Sequence, residues 1–449
     1  MVAPDRQRTG VARPVGFRVQ LSRLQGQARR ARGGRRSRDR EGAGGGPPLP
    51  HGRGSDGQDS ACEAPAHGSP RAGAGSLLAG LLPLHEYLEG RQSEEAFHEA
   101  ADDAVRLAVA AQERAGVDVV TDGEQRRDGY ASFIGTRLRC LQLIPITDLL
   151  PYVEHPEEFA AELRSLDVPA ELVRHPAVLA PLVRDRPLAL HEACFVQGIT
   201  SKPVKVALPG PYLLTRTLWL ECVSERVYRE RDELAADVVR VLREEVAELL
   251  AAGVAVVQFD EPVLTEVVFG KPAKSRGFMC GALSERRGAA EELAFAASLL
   301  ERLADGFPRE RLAMHICRGN WSRDEGVALT GDYGPLMQLL ERVPFGTVFL
   351  ELCTPRAGEF EKLRSLPAGC RLGVGVVNQK LDAVETAGDI AARAEAAIAL
   401  FGADRVMLNP DCGFATFADN PVASAGVAER KLAAIAEAAR ALRRRHGLG

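Results

Sequence analysis

The run Val254-Ala255-Val256-Val257-Gln258-Phe259-Asp260 is almost continuously apolar, the pattern of a strand covered on both faces of a parallel sheet. Comparable runs recur at 117–120, 203–209, 311–317, 346–351, 371–377 and 405–409. Between them lie segments with helical apolar spacing. The first, 94–115, carries Phe97, Ala101, Val105, Leu107 and Val109 at helical spacing and stops at Gly116, a usual helix end. Further helices are expected over about 224–252, 291–305, 390–400 and 422–443. Strand and helix alternating in this way predict an α/β fold, a (β/α)8 barrel. Such a unit takes about 250 residues or more, which a chain of 449 residues accommodates with extras.

The polar exceptions cluster where these strands end. Residues 312–317 finish on His315 and Cys317, which strand alternation puts on one face, with Ile316 packed behind. Residues 348–351 finish on Glu351, and 406–413 on Asn409-Pro410-Asp411-Cys412-Gly413. One His, two Cys and one Glu form a set that Zn²⁺ accepts, and the C-terminal rim of the strands is where such barrels keep their sites. A lone His-x-Cys pair also fits an ordinary core strand; the two later strand ends tip the reading toward a metal.

These pieces resemble the zinc site of the cobalamin-independent methionine synthase family, in its catalytic C-terminal barrel. The resemblance spans roughly residues 75–445. It implies that zinc bound by His315, Cys317, Glu351 and Cys412 activates homocysteine. Two further stretches agree: Thr121-Asp122-Gly123-Glu124 and Gln258-Phe259-Asp260-Glu261-Pro262 resemble the strand ends whose carboxylates, here Glu124 and Asp260, hold the substrate amino group. The family's first strand leads to a Gly-Ser that touches the substrate through its backbone. Gly75-Ser76 stands at about the right distance before Glu124, although His67-Gly68-Ser69 matches in wording; Ser76 is the expected contact.

Two segments break the alternation. Residues 1–74 form a basic extension: between Met1 and Gly54 there are 13 Arg and no Lys against three acidic residues, with Gly-rich runs and no apolar period. Such a stretch buries too little to offset its ordering entropy, so disorder or a mistaken start is expected, with the barrel occupying 75–449. Residues of about 136–195, interrupted by Pro151, Pro156, Pro169, Pro176 and Pro187, read as two or three short helices inserted over the barrel mouth.

Composition limits the partners. With 45% hydrophobic residues, 26% charged residues and a net charge of -4, nothing favours nucleic acid or a membrane surface. No apolar run approaches a membrane span, and the first 20 residues lack a signal-peptide core. Nine cysteines without framework spacing suit a reducing cytoplasm and thiols kept free for metal.

Two thiolates and a carboxylate leave a metal only modestly Lewis acidic but well suited to hold an incoming thiol as a nucleophilic thiolate. The expected reaction is therefore alkylation of a small-molecule thiol, homocysteine by the resemblance, by a methyl or other alkyl donor. Three departures from the two-barrel enzymes concern that donor. No N-terminal barrel is expected before this one, the Trp that contacts the folate is replaced near Thr217, and the His that protonates the departing nitrogen falls near Lys380 in Val377-Asn378-Gln379-Lys380. Lys380 either supplies that proton or merely opens the next helix on the surface. His315-Ile316-Cys317-Arg318-Gly319-Asn320-Trp321 and Leu350-Glu351-Leu352-Cys353-Thr354-Pro355-Arg356 also resemble zinc-dependent epoxyalkane:coenzyme M transferases. An epoxide-opening enzyme and a zinc-binding barrel without catalysis are the alternatives.

Overall fold

The structure, a computed structural model, describes residues 78–152, 156–164, 173–220, 224, 226–270, 287–418 and 420–448. The basic extension 1–74 and Ser76 lie outside them. Helix α1 (Leu78–Leu88) leads to α2 (Glu94–Ala115), which has the bounds its sequence predicts. Ser93 accepts a hydrogen bond from the Ala96 N–H at 3.2 Å at one end, and Gly116, at φ 83°, closes the other. The chain then reaches Val120, which makes a parallel bridge to Val204 and so serves as the neighbour of the next strand.

The predicted helical insertion is instead mainly a β-hairpin. Strands β1 (Leu138–Pro145) and β2 (Arg174–Arg184) pair antiparallel, with α3 (Pro156–Leu163) in their connection. The prolines misled the helical reading. A two-stranded ribbon has two open edges, and Pro176 and Pro181 in β2 lack only an N–H that an edge strand can do without. The insertion also ends earlier than expected, because α4 (Leu190–Gln197) packs against α2 as a barrel helix. Beneath the hairpin Ile146, Leu149, Phe159, Leu163 and Leu220 form a separate apolar cluster, with Trp321 packed against it from the barrel mouth.

The remaining strands build one parallel sheet in sequence order. They are β3 (Lys205–Pro209), β4 (Val256–Asp260), β5 (Leu312–Ile316), β6 (Thr347–Leu350), β7 (Arg371–Val377) and β8 (Val406–Pro410). Helices α5 (Pro211–Leu218), α6 (Arg231–Ala251), α7 (Val263–Phe269) and α8 (Ala289–Ala304) cover its first half. Short α9 (Met337–Arg342), then α10 (Ala387–Phe401) and α11 (Ala425–His446), cover the rest. Strand β6 departs from the expected alternation, since only 3-10 turns, Pro355–Ala357 and Phe360–Leu363, link it to β7. The rim closes where Gly129 bridges Phe417 and the Ala418 N–H donates to the Asp128 carbonyl at 3.0 Å. Arg114 of α2 pairs with Glu429 of α11 at 2.8 and 2.9 Å on the outside. No helix among the described residues is long and apolar enough to cross a membrane.

Candidate metal centre

Register brings the site together. On β5 His315 lies opposite Asp260 of β4 and Phe349 of β6, so all three face the barrel interior. Cys317 follows the end of β5, and Cys412 follows the end of β8. The ligand atoms of His315, Cys317 and Cys412 all lie within 4.8 Å of one another, within reach of a single ion.

The imidazole of His315 is set up to coordinate. Its Nδ1 lies 3.3 Å from the Phe349 carbonyl, the acceptor that fixes Nδ1 as the protonated nitrogen. The buried Nε2 then carries a lone pair and has no hydrogen-bond partner. A buried acceptor left unmatched costs roughly 1–3 kcal/mol, and a metal beside two thiols would satisfy it. The thiols share charge unequally. A hydrogen bond with Cys412, and then His315, pull Cys317 well below its ordinary range against the effect of burial. Cys412 is pushed well up by its bond to Cys317 and by burial. The donor set therefore fits a soft or borderline divalent metal.

Buried polar groups hold the Cys412 turn in place. The Asp411 carboxylate accepts from the Leu352 and Cys353 N–H groups at 3.0 and 2.9 Å, tying the end of β8 to the end of β6. Gly375 makes room for it, since a Cβ at 375 would stand 1.9 Å from Asp411 Oδ1. Asn320 donates to the Gly413 carbonyl at 2.8 Å and so links the Cys317 turn to the Cys412 turn.

Glu351 departs from the expected ligand set: its carboxylate is outside the group of three. Arg356 donates to its Oε1 from Nε and Nη2 at 3.0 and 2.8 Å, and the Arg318 N–H donates to its Oε2 at 3.1 Å. Both oxygens are thus engaged elsewhere. Cys353 also stands outside the group of three, with Sγ 3.1 Å from Arg393 Nη1. Cys194 is disulfide-bonded, contrary to the expectation that the thiols are free.

Lys380 is no surface residue. It is 2% exposed, and its Nζ donates to the Asp324 carbonyl at 3.4 Å. Burial lowers its pKa, while Glu325 and Glu351 work the other way. Glu124 and Asp260 form the carboxylate side of the mouth, with Asp260 next to His315 in register. Glu124 adopts a left-handed backbone, φ 55°, and keeps 35% of its side chain exposed. Desolvation still pushes its carboxyl up to about 7, opposed by Arg127 and assisted by Asp260. Asp260 is likewise raised by burial, against His315 and its 2.7 Å bond from Gln258 Nε2.

Lys205 is a member of this side that the sequence reading missed. Its Nζ donates to Gln258 Oε1 at 2.6 Å and sits 4.8 Å from the centre of the Phe349 ring. Burial lowers its pKa, and Asp260, Glu124 and Cys412 oppose that shift. The available signal was a single charge inside the apolar run 203–209. Asp411 and Arg356 were passed over for another reason, since nothing local in the sequence indicates their partners on other strands.

Comparison with known proteins identifies the family of the barrel. The cobalamin-independent synthase catalytic domain matches residues 157–295 and 329–437; the stretch between, with His315 and Cys317, is outside the match. The methionine synthase of Saccharolobus solfataricus is 24% identical over 81% of this chain and 90% of its own length. The 5-methyltetrahydropteroyltriglutamate--homocysteine methyltransferase of Thermosynechococcus vestitus is 27% identical over 75% of this chain, which spans only 39% of that longer protein. Among solved structures, a B12-independent methionine synthase from Shewanella sp. W3-18-1 in complex with selenomethionine superposes with a TM-score of 0.61 at 25% identity, covering 79% of this chain and 91% of its own. The match covers more than half of the sequence, and the chain belongs to the cobalamin-independent methionine synthase family through that family's catalytic domain.

Proposed function

We propose that this protein is a zinc-dependent thiol methyltransferase that moves a methyl group from a 5-methyltetrahydropteroyl-type donor to homocysteine. The observation that carries the reading is the His315 Nε2 lone pair, buried without a partner beside two thiols. The relatives named above, a methionine synthase and a homocysteine methyltransferase, supply the substrates. His315, Cys317 and Cys412 would hold zinc, with the fourth position shared between Glu351 and the substrate sulfur. Bound zinc supplies one thing, a substrate thiol held as thiolate at neutral pH.

The chain's own groups do the rest. Glu124 and Asp260 take the substrate ammonium; burial raises Glu124 and repulsion from Asp260 adds to it, and a cation entering between them relieves that repulsion. The Ser76 backbone, outside the described residues, is proposed to meet the carboxylate end. Lys380 Nζ delivers the proton that the departing donor nitrogen needs; its lowered pKa makes it a better acid than an exposed lysine. The hairpin β1–β2 shields the mouth from water. The reading sets the protein in the cytoplasm, where Cys317 and Cys412 stay reduced.

One observation favours a second reading. Lys205 already brings an ammonium group beside Asp260 and Glu124, which would suit a thiol with an anionic tail, as in epoxide opening by coenzyme M. The test is a matrix of thiols and donors on the zinc-loaded protein. Methionine formed from homocysteine and a methyl-folate supports the proposal. Turnover only with an epoxide and a sulfonate thiol overturns it, and bound zinc without any turnover points to a barrel that only binds metal.

A further inference from the structure

The Glu351 carboxylate is held by a built device. Its backbone cannot move freely, because the Tyr333 hydroxyl accepts from the Glu351 N–H and donates to the Glu351 carbonyl, both at 3.1 Å. Any change at this position is therefore a side-chain rotation. Arg356 grips Oε1 with two N–H groups, and the pair is nearly dry: Arg356 is 14% exposed and Glu351 3%. Charge-assisted pairs of this kind are strong, and breaking one leaves a buried charge uncompensated. Arg356 does not belong to Glu351 alone. It also pairs with Glu325, which is 35% exposed and accepts from Asn378 Nδ2 at 2.6 Å. The guanidinium is thus pulled between a buried carboxylate at the metal centre and a wetter one at the rim. The Gly331 N–H, donating to the Arg356 carbonyl at 3.1 Å, fixes its backbone.

We propose that Arg356 is a positioning residue that draws the Glu351 carboxylate away from His315, Cys317 and Cys412. It thereby keeps the fourth metal position open to an incoming thiol, and Glu325 sets how firmly it does so. This rests on the metal reading above. Without Arg356, Glu351 has only the Arg318 N–H to hold it back, and its carboxylate becomes the better fourth ligand. The metal is then bound more tightly and the thiol more weakly. Without the Glu325 charge, Arg356 settles fully on Glu351, and both effects reverse.

The test uses the full chain loaded with cobalt(II), whose thiolate charge-transfer and visible bands report the ligands without turnover. Wild type, Arg356→Met, Arg356→Lys, Glu325→Gln, Glu351→Gln and the pair Arg356→Met with Glu351→Gln are titrated with metal and then with homocysteine. Arg356→Met should bind cobalt about tenfold more tightly and need about tenfold more thiol to shift the bands, within the range usual for groups behind a ligand. Arg356→Lys should fall between it and wild type. Glu325→Gln should move the thiol midpoint the opposite way, and it keeps the idea testable if Arg356→Met fails to fold. In the Glu351→Gln background the Arg356→Met shift should vanish; a shift that persists there is a general charge effect and overturns the inference. A thiol midpoint equal to wild type in both Arg356→Met and Glu325→Gln also overturns it. Absence of any thiolate band in the wild type sinks the metal reading itself, a separate and distinguishable failure.

Discussion

The two sides of the barrel mouth are made of different chemistry and held in different ways. On one side His315, Cys317 and Cys412 sit on or just after paired strands, and Asp411 and Asn320 pin the turns that carry the thiols. On the other side Glu124 comes from a loop residue with a left-handed backbone after a single bridge, and only Asp260 stands on a strand. Soft donors gain from fixed spacing, because one ion must meet all of them at nearly equal bond lengths. Two carboxylates that receive a flexible ammonium gain more from charge than from position. The candidate metal side is held by fixed turns, and the carboxylate side is set by charge.

The comparison predicts unequal losses. Cys317→Ala should have the largest effect, a fall in zinc affinity of more than about 10², beyond what groups behind a ligand produce. Competition with a chromophoric chelator measures it, and near-normal affinity would break the contrast. Next, Lys380→Met should leave zinc content and thiol binding intact and slow single-turnover methyl transfer by about 10²; an unchanged rate would leave the proton to water. Glu124→Gln or Asp260→Asn should raise the KM for homocysteine about tenfold, in line with a lost charged hydrogen bond, with zinc content unchanged. A drop in zinc content in these variants would show that the two sides are one unit.

The smallest effect is the pH dependence. Glu124, with its pKa raised to about 7, is neutral below that pH and cannot pair with an ammonium. Homocysteine affinity should therefore rise as pH increases through about 7, by less than tenfold, and the dependence should disappear in Glu124→Gln. Folding stability runs the other way. Ionising this group in its desolvated place is unfavourable relative to the unfolded chain, so its contribution falls as pH rises from its ordinary 4.5 toward 7. Isothermal titration and thermal melts at matched pH values separate the two.

Much of this was readable in the chain because the information is local. Ser93 and Gly116 mark the ends of α2 by their own chemistry, and strand alternation is enough to put His315 and Cys317 on one face. What escaped was relational. A proline-rich stretch becomes a hairpin only when two strands 30 residues or so apart pair, and Glu351 stands outside the group of three with its Oε1 bonded by an arginine five residues on. Lys205 lay in plain view as a lone charge in an apolar run, yet its meaning depends on Gln258 and Asp260 across the strand boundary.

The space left at Gly375 means that β7 shapes the candidate metal site without offering a ligand. The carboxylate that steadies the Cys412 turn occupies the volume where any other residue would place its first carbon. The wall and the metal centre therefore cannot be altered independently. A methyl group at 375, far smaller than most substitutions, would move Asp411 and with it a thiol, so the inventory of groups that shape this candidate site includes a hydrogen atom on the neighbouring strand.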